Sequence, residues 1–253
     1  MAIRTSPAAQ GPRRSVLSDE TYDMVKAMIM SHKIAPGQKV NIDALAKKLK
    51  VSQTPIREAL ARLESDGLIE KVPLKGYTAT PLLTLREFDD LFQFRLLIEP
   101  WAAELAAKRI DSVGKAALHA ELQSAKMALK FKNIDKVEAL TEHDARFHLL
   151  ISRISGNLSV AESFERTHCH LHLFRLYVAS EAKIIQNKSN EKFVSDLFSL
   201  YYKGEKGQRA IKEHEEIAKS IISQDSKGAR SLMQKHIQQS LKRFAPAAKA
   251  INS

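Results

Sequence analysis

From Leu85 onward, apolar residues recur at intervals of three and four, and no proline stands between Pro100 and Pro246. That spacing puts the apolar side chains on one stripe of a helix; a half-buried strand would need alternation instead. It runs through 85–109, 113–131, 134–154, 158–186, 191–223 and 226–244, with a clean stop at Ser155-Gly156-Asn157. The expectation is an all-α antiparallel bundle of six or seven helices over 86–245. Within it, 187–209 is polar, carries Gly204 and Gly207, and reads as a loosely held connection.

The residues before that bundle follow a different grammar. Ser18 can cap a helix through Tyr22, Val25, Met28 and Ile29, which Ala35-Pro36-Gly37-Gln38 ends in a turn. Asp43 can cap a short second helix with Leu45, Ala46 and Leu49 on its buried side. After the turn Val51-Ser52-Gln53, Thr54 can cap a third helix, with Pro55 where a missing N–H costs nothing. Gly67 stops it. Two β-prone runs, 68–72 and 77–80, flank Pro73-Leu74-Lys75-Gly76 as a hairpin. Three helices and a hairpin make a winged helix-turn-helix over 16–81, joined to the bundle by residues 81–84. The fold class is mainly α, and residues 1–15, with Arg4, Arg13 and Arg14, read as a disordered basic tail.

Charge agrees with a polyanionic partner. The 253 residues carry a formal net charge of +11 and a pI near 9.6. The lone cysteine, Cys169, excludes an internal disulfide and suits a reducing cytoplasm. No run of about 18 apolar residues suggests a membrane span, and the first fifteen residues lack the apolar core of a secretory signal.

Ser52, Gln53, Thr54 and Arg57 gather at the leading end of the third helix, where double-stranded DNA would be read. An arginine there can bond guanine O6 and N7 in parallel, and Gln53 can pair with adenine or touch a phosphate. Ser52 and Thr54 suit phosphate oxygens at the positive end of the helix. Lys75 and Gly76 sit at the wing tip, and Lys47, Lys48 and Lys50 add sequence-independent attraction.

In the bundle, Asp144 and His148 are four apart and share a helix face. His214 and His236 stand at nearly equal counts from the turn Gln224-Asp225-Ser226, each about 16 Å along an antiparallel hairpin. If the Asp144 helix packs there, one carboxylate and three imidazoles converge, a set that suits a divalent transition metal such as Zn, Ni or Mn. Glu213 and Glu215 flank His214 but are expected to point away from such a site. Arg95 can pair with a bundle glutamate. His168, Cys169, His170 and His172 form a second group; within it His168 and His172, four apart on one helix, can bind metal alone, line the same cavity or be incidental. Asn157 suits a helix cap.

The strings Ile34-Ala35-Pro36-Gly37, Val51-Ser52-Gln53-Thr54-Pro55-Ile56-Arg57-Glu58-Ala59-Leu60, Asp66-Gly67-Leu68 and Lys75-Gly76-Tyr77 resemble the GntR family of bacterial transcription regulators. Such regulators usually carry Arg where this chain has Gln53, so operator preference does not carry over at that position. Arg95-Leu96-Leu97-Ile98-Glu99, Asp144-Ala145-Arg146-Phe147-His148, Glu213-His214-Glu215-Glu216-Ile217 and Met233-Gln234-Lys235-His236-Ile237 resemble the FCD ligand-binding domain of the FadR subfamily. The resemblance implies a cytoplasmic homodimeric regulator, most often a repressor, bound to a near-palindromic operator with half-sites about 34 Å apart. It implies a small carboxylate effector beside a metal held at Asp144, His148, His214 and His236, with Arg95 the candidate second anchor for that carboxylate unless a bundle glutamate takes it. A metalloenzyme with a DNA-binding appendage, or a purely structural dimerisation bundle, are the other readings; catalysis is not expected.

Overall fold

The computed structural model describes residues 13–74, 76–131, 133–186 and 208–252. The expected basic tail lies largely outside them, as do Lys75 and nearly all of the expected connection 187–209. The chain divides into two compact units at Pro81 and Leu82.

The first unit holds α1 (Arg13–Met30), β1 (Lys39–Val40), α2 (Ile42–Leu49), α3 (Gln53–Ser65), β2 (Ile69–Val72) and β3 (Gly76–Ala79). Val25 and Ile29 of α1 are fully buried with Ile56, Leu60 and Leu63 of α3, and α1 packs on α3. Each such side chain contributes roughly 1.5–3 kcal/mol on leaving water. The Tyr22 hydroxyl donates to Asp66 (2.6 Å) while the Arg62 guanidinium lies over its ring at 4.2 Å. The hairpin is antiparallel, pairing Ile69 with Ala79 and Val72 with Gly76. β1 adds to its other side in the order β1-β3-β2, a third strand that local sequence did not announce.

Three expected caps are corrected. α1 begins at Arg13, so Ser18 lies inside it and is buried. α2 is capped by Asn41, whose side chain accepts from the Ala44 N–H (3.0 Å), not by Asp43. α3 begins at Gln53 with Ser52 preceding it, so Thr54 and Pro55 both lie in its first turn. Pro55 still costs nothing there, because the first four N–H groups of a helix have no partner within it.

The second unit is all helix among its described residues: α4 (Leu85–Arg109), α5 (Ser112–Ala128), α6 (Asn133–Ile154), α7 (Leu158–Arg166), α8 (Cys169–Gln186), α9 (Gln208–Ile222) and α10 (Ser226–Asn252). Thr84 and Glu87 open α4 with a reciprocal capping box. Helix α4 is the hub, packed against α10, α6 and α9. Its inner stripe pairs Phe88 and Phe92 with Ala102, Ala103, Ala106 and Ala107, all buried; small side chains let the neighbouring helices approach closely. Asn157 caps α7 through the Val160 N–H (3.2 Å). Gly156 has φ +73°, and a Cβ there would stand 2.8 Å from Arg109 Nη1, so the turn after α6 needs glycine. The expected single run 158–186 is broken: α7 ends at Arg166, and His168 turns the chain with φ +45°. α8 begins only after it, at Cys169, so His168 and His172 do not share one helix as expected.

Candidate metal centre and nucleic-acid interface

On the first unit, Ser52, Gln53, Thr54, Arg57 and Gly76 are all exposed. The inner side of α3 is occupied by Ile56, Ala59, Leu60 and Leu63, which leaves Arg57 on the free side. Gln53 is engaged: its amide donates to Asp43, and Arg57 donates to its carbonyl at 3.3 Å. Asp43, which does not cap α2, thus orients the residue at the departure position. Lys47, Lys48 and Lys50 are exposed along the same edge. Lys50 closes α2 in the left-handed conformation (φ 57°), which makes the tight turn into α3.

In the second unit, Asp144, His148, His214 and His236 come together. Each offers a ligand atom within 4.8 Å of all the others, and all four are buried. Nε2 of His148 lies 3.2 Å from Nε2 of His236, which lies 3.3 Å from Nε2 of His214. Asp144 Oδ1 is 3.1 Å from His214 Nε2 and 3.8 Å from His148 Nε2, yet accepts no aligned hydrogen bond. Nitrogens bound to one ion at about 2.0–2.1 Å subtend edges of about 2.9–3.4 Å, which brackets both nitrogen separations.

The groups behind the imidazoles decide which nitrogen carries the proton. His148 Nδ1 meets Glu99, and His236 Nδ1 donates to Glu213 (2.7 Å). His214 Nδ1 meets His143 Nε2 (2.9 Å), and His143 Nδ1 meets Glu121 (2.9 Å). A carboxylate only accepts, so it fixes N–H on the nitrogen that faces it. The chain Glu121–His143–His214 therefore resolves with N–H on Nδ1 of both rings. All three ligand rings then present bare Nε2 lone pairs to the centre, together with Asp144 Oδ1. Four acceptors with no donor between them repel one another unless a cation sits there. The residues therefore fit a divalent transition metal, and the partners on Nδ1 are those that orient metal-bound imidazoles.

Titration runs the same way. Burial pushes His148 down to about 4, against the pull of Glu99. Burial also holds His214 well below its ordinary range, despite Asp144; both rings are neutral and ready to ligate at pH 7. Burial alone would raise Asp144, but His170, His214 and His148 hold it well below the usual carboxylate range. His214 is clamped flat against Phe147, with ring centroids 4.1 Å apart and planes 18° apart.

Arg95 is fully buried and paired with Glu99, so the pairing with a bundle glutamate is real. It does not exhaust the side chain: Nη1 has no hydrogen-bond partner. His170 Nδ1 lies 2.6 Å from Asp144 Oδ2, without the alignment of a hydrogen bond, and its Nε2 is also unpartnered. Burial would lower His170, but Cys169 and Asp144 hold it above its ordinary value. His170 thus belongs to the main cluster rather than to a separate one. Between α9 and α10, a cleft of about 250 Å³ bordered by Arg209, Lys212 and Lys235 reaches Glu213 and His236.

Comparison with known proteins decides the family. Residues 17–78 match the bacterial regulatory proteins of the gntR family, and residues 90–239 match the FCD domain. The chain belongs to the GntR family, in its FCD-bearing branch. This GntR chain is 29% identical over 155 residues to the HTH-type transcriptional regulator YdhC of Bacillus subtilis, covering 61% of this chain and 68% of that protein. It is 24% identical over 212 residues to the HTH-type transcriptional repressor RspR of Escherichia coli, covering 81% and 89%. Its fold is similar to that of E. coli McbR/YncC, with a TM-score of 0.58 at 19% identity over 89% of this chain and 95% of that one. The chain is a transcription regulator with an effector-binding domain, not an enzyme. No described helix is long and apolar enough to cross a membrane.

Four contributors to this FCD cluster escaped sequence reasoning: Glu99, Glu121, His143 and His170 in its supporting role. A fifth, Glu213, points toward His236 and not away, and Arg243 grips the same carboxylate at 3.0 Å through both terminal nitrogens. One signal was available for Glu99. It lies four residues after Arg95, on the same helix face.

Proposed function

We propose that this chain is a homodimeric, ligand-responsive repressor whose FCD domain holds a divalent transition metal (Zn, Ni or Mn) and a small organic acid. The observation that carries this reading is the convergence of four buried ligand atoms, three imidazole Nε2 and Asp144 Oδ1, with each imidazole Nδ1 held by a partner behind it. A divalent ion held there would supply a Lewis-acid centre suited to a carboxylate ligand. Asp144, His148, His214 and His236 hold the ion, while Glu99, His143 and Glu213 fix their tautomers. Arg95 grips the effector's carboxylate through its unpartnered Nη1. Arg209, Lys212 and Lys235 draw the anion toward the cluster. Ser52, Gln53, Thr54, Arg57, Lys75 and Gly76 meet the DNA operator. The name of RspR supports repression as the sign of control.

The test is fluorescence-anisotropy titration of an operator duplex from the flanking DNA, with a panel of small carboxylates, before and after chelation. At least one acid is expected to weaken binding, and chelation to abolish its effect. Binding that ignores every acid in both states, with no bound metal, would leave a purely structural bundle instead.

A further inference from the structure

Helix α4 has two working faces. The inner one carries Arg95 and Glu99, and Glu99 holds His148. The outer one carries an apolar seam at helical spacing: Phe94, Leu97, Trp101 and Leu105. Leu97 is 76% exposed and Trp101 37% exposed, with Phe94 and Leu105 half-buried. A polar helix face toward water would not concentrate a leucine and the chain's single tryptophan at its centre.

The charges around this seam have a register. Asp90 and Lys108 share the outward face with the seam, and stand nine residues to either side of Glu99. Leu97 and Trp101 stand two residues to either side of the same point. A two-fold axis over the helix midpoint runs a second α4 antiparallel to the first and exchanges those positions. Leu97 then packs on Trp101 of the second copy, and Asp90 meets Lys108 of the second copy at both ends. Asp90 pairs with exposed Arg86 (3.8 Å) and exposed Lys108 with half-buried Glu104 (2.6 Å), which Arg230 also holds, so both outward groups give up little on rearranging. Self-complementarity of this kind is what an isologous contact requires.

We infer that the outer face of α4 is the seam between two copies of this chain, packed antiparallel about Glu99 and Pro100 with Leu97 on Trp101 and Asp90 opposite Lys108. The inference rests on the homodimer in the proposed function and specifies its surface. One helix then carries the effector contact on one side and the subunit contact on the other. A shift of α4 at Arg95 is felt directly at the seam.

Sedimentation equilibrium of the full chain over a concentration series tests this, with Trp101 emission recorded on the same samples. The wild type is expected to dimerise with a blue shift of Trp101. Leu97→Asp is expected to weaken dimerisation ~100-fold or more, as loss of a central apolar contact does, with circular dichroism and melting temperature of the monomer retained. Asp90→Lys is expected to weaken it roughly tenfold and Asp90→Lys with Lys108→Asp to restore it, since like charges facing each other are replaced by an exchanged pair. A Leu97→Asp dimer of unchanged affinity, or a double exchange no better than Asp90→Lys alone, overturns this seam and leaves the homodimer standing. A wild type that is monomeric at every concentration overturns both.

Discussion

The proposed recognition surface and the histidine cluster are built on opposite principles. Arg57, Gln53 and Thr54 are exposed on a frame whose core lies on the other side of α3. Asp144, His148, His214 and His236 are themselves core, and each leans on another buried or half-buried polar group. A surface reader can therefore be altered without cost to the fold, whereas any change in the cluster is also a change in packing and charge. The proposed function and stability separate in the first unit and are fused in the second.

The largest expected departure comes from breaking the fused region. Glu99→Ala strands the Arg95 guanidinium, which is fully buried, and frees the His148 ring. A loss of about 3–5 kcal/mol is expected, read as a lowered denaturation midpoint at constant slope. A midpoint within 1 M urea of the wild type, with metal retained, would show that the cluster tolerates change as a surface does.

Arg57→Ala sharpens the contrast from the other side. Operator affinity should fall by about 1–3 kcal/mol, roughly 5- to 150-fold, with the melting temperature unchanged. A melting shift as large as that of a cluster variant would mean that α3 is not a free reading surface.

Acid should distinguish the two units as well. His148 is held neutral in the fold, with its pKa lowered to about 4, while unfolded histidine titrates near 6.5. A group with a depressed folded value contributes stability above the unfolded value and loses it as pH falls toward the folded one. His214 shifts in the same direction. The chelated protein should therefore lose stability steadily from pH 6.5 toward 4, and His148→Gln should flatten that slope. A parallel slope in wild type and variant would remove His148 from the account.

The smallest expected effect is local. Asn41→Ala removes the cap of α2 and should cost about 1 kcal/mol, lowering operator affinity only through the position of α3. Asp43→Ala, by contrast, should leave the helix intact and free Gln53. The comparison of the two by melting and anisotropy separates capping from the orientation of the reading residue.

The parts legible in sequence share a property: their signals are local or symmetric. The wing, the existence of a turn between α2 and α3 and the bundle follow from spacing and breakers. Convergence of His214 on His236 follows from equal counts about one turn. What stayed hidden depends on partners distant in sequence. β1 is two residues long and exists because β3 pairs with it. Asn41 and Asp43 are both competent caps two residues apart, and the pairing of Asp43 with Gln53 decides between them. The break at His168 lies inside an unbroken helical period. Glu213 follows the adjacent His214 into the cluster because α10 brings His236 to its side, which no periodicity in α9 reveals.

The central claim is that four buried acceptors face each other because a cation belongs between them. The most direct measurement is elemental analysis of the purified protein together with titration of Zn, Ni and Mn into its chelated form, in wild type and in Asp144→Ala. About one ion per chain in the wild type, with a matching rise in melting temperature, and none in the variant, is the predicted result. A wild type that binds no ion tightly, or an Asp144→Ala protein that binds it as well, would contradict the account.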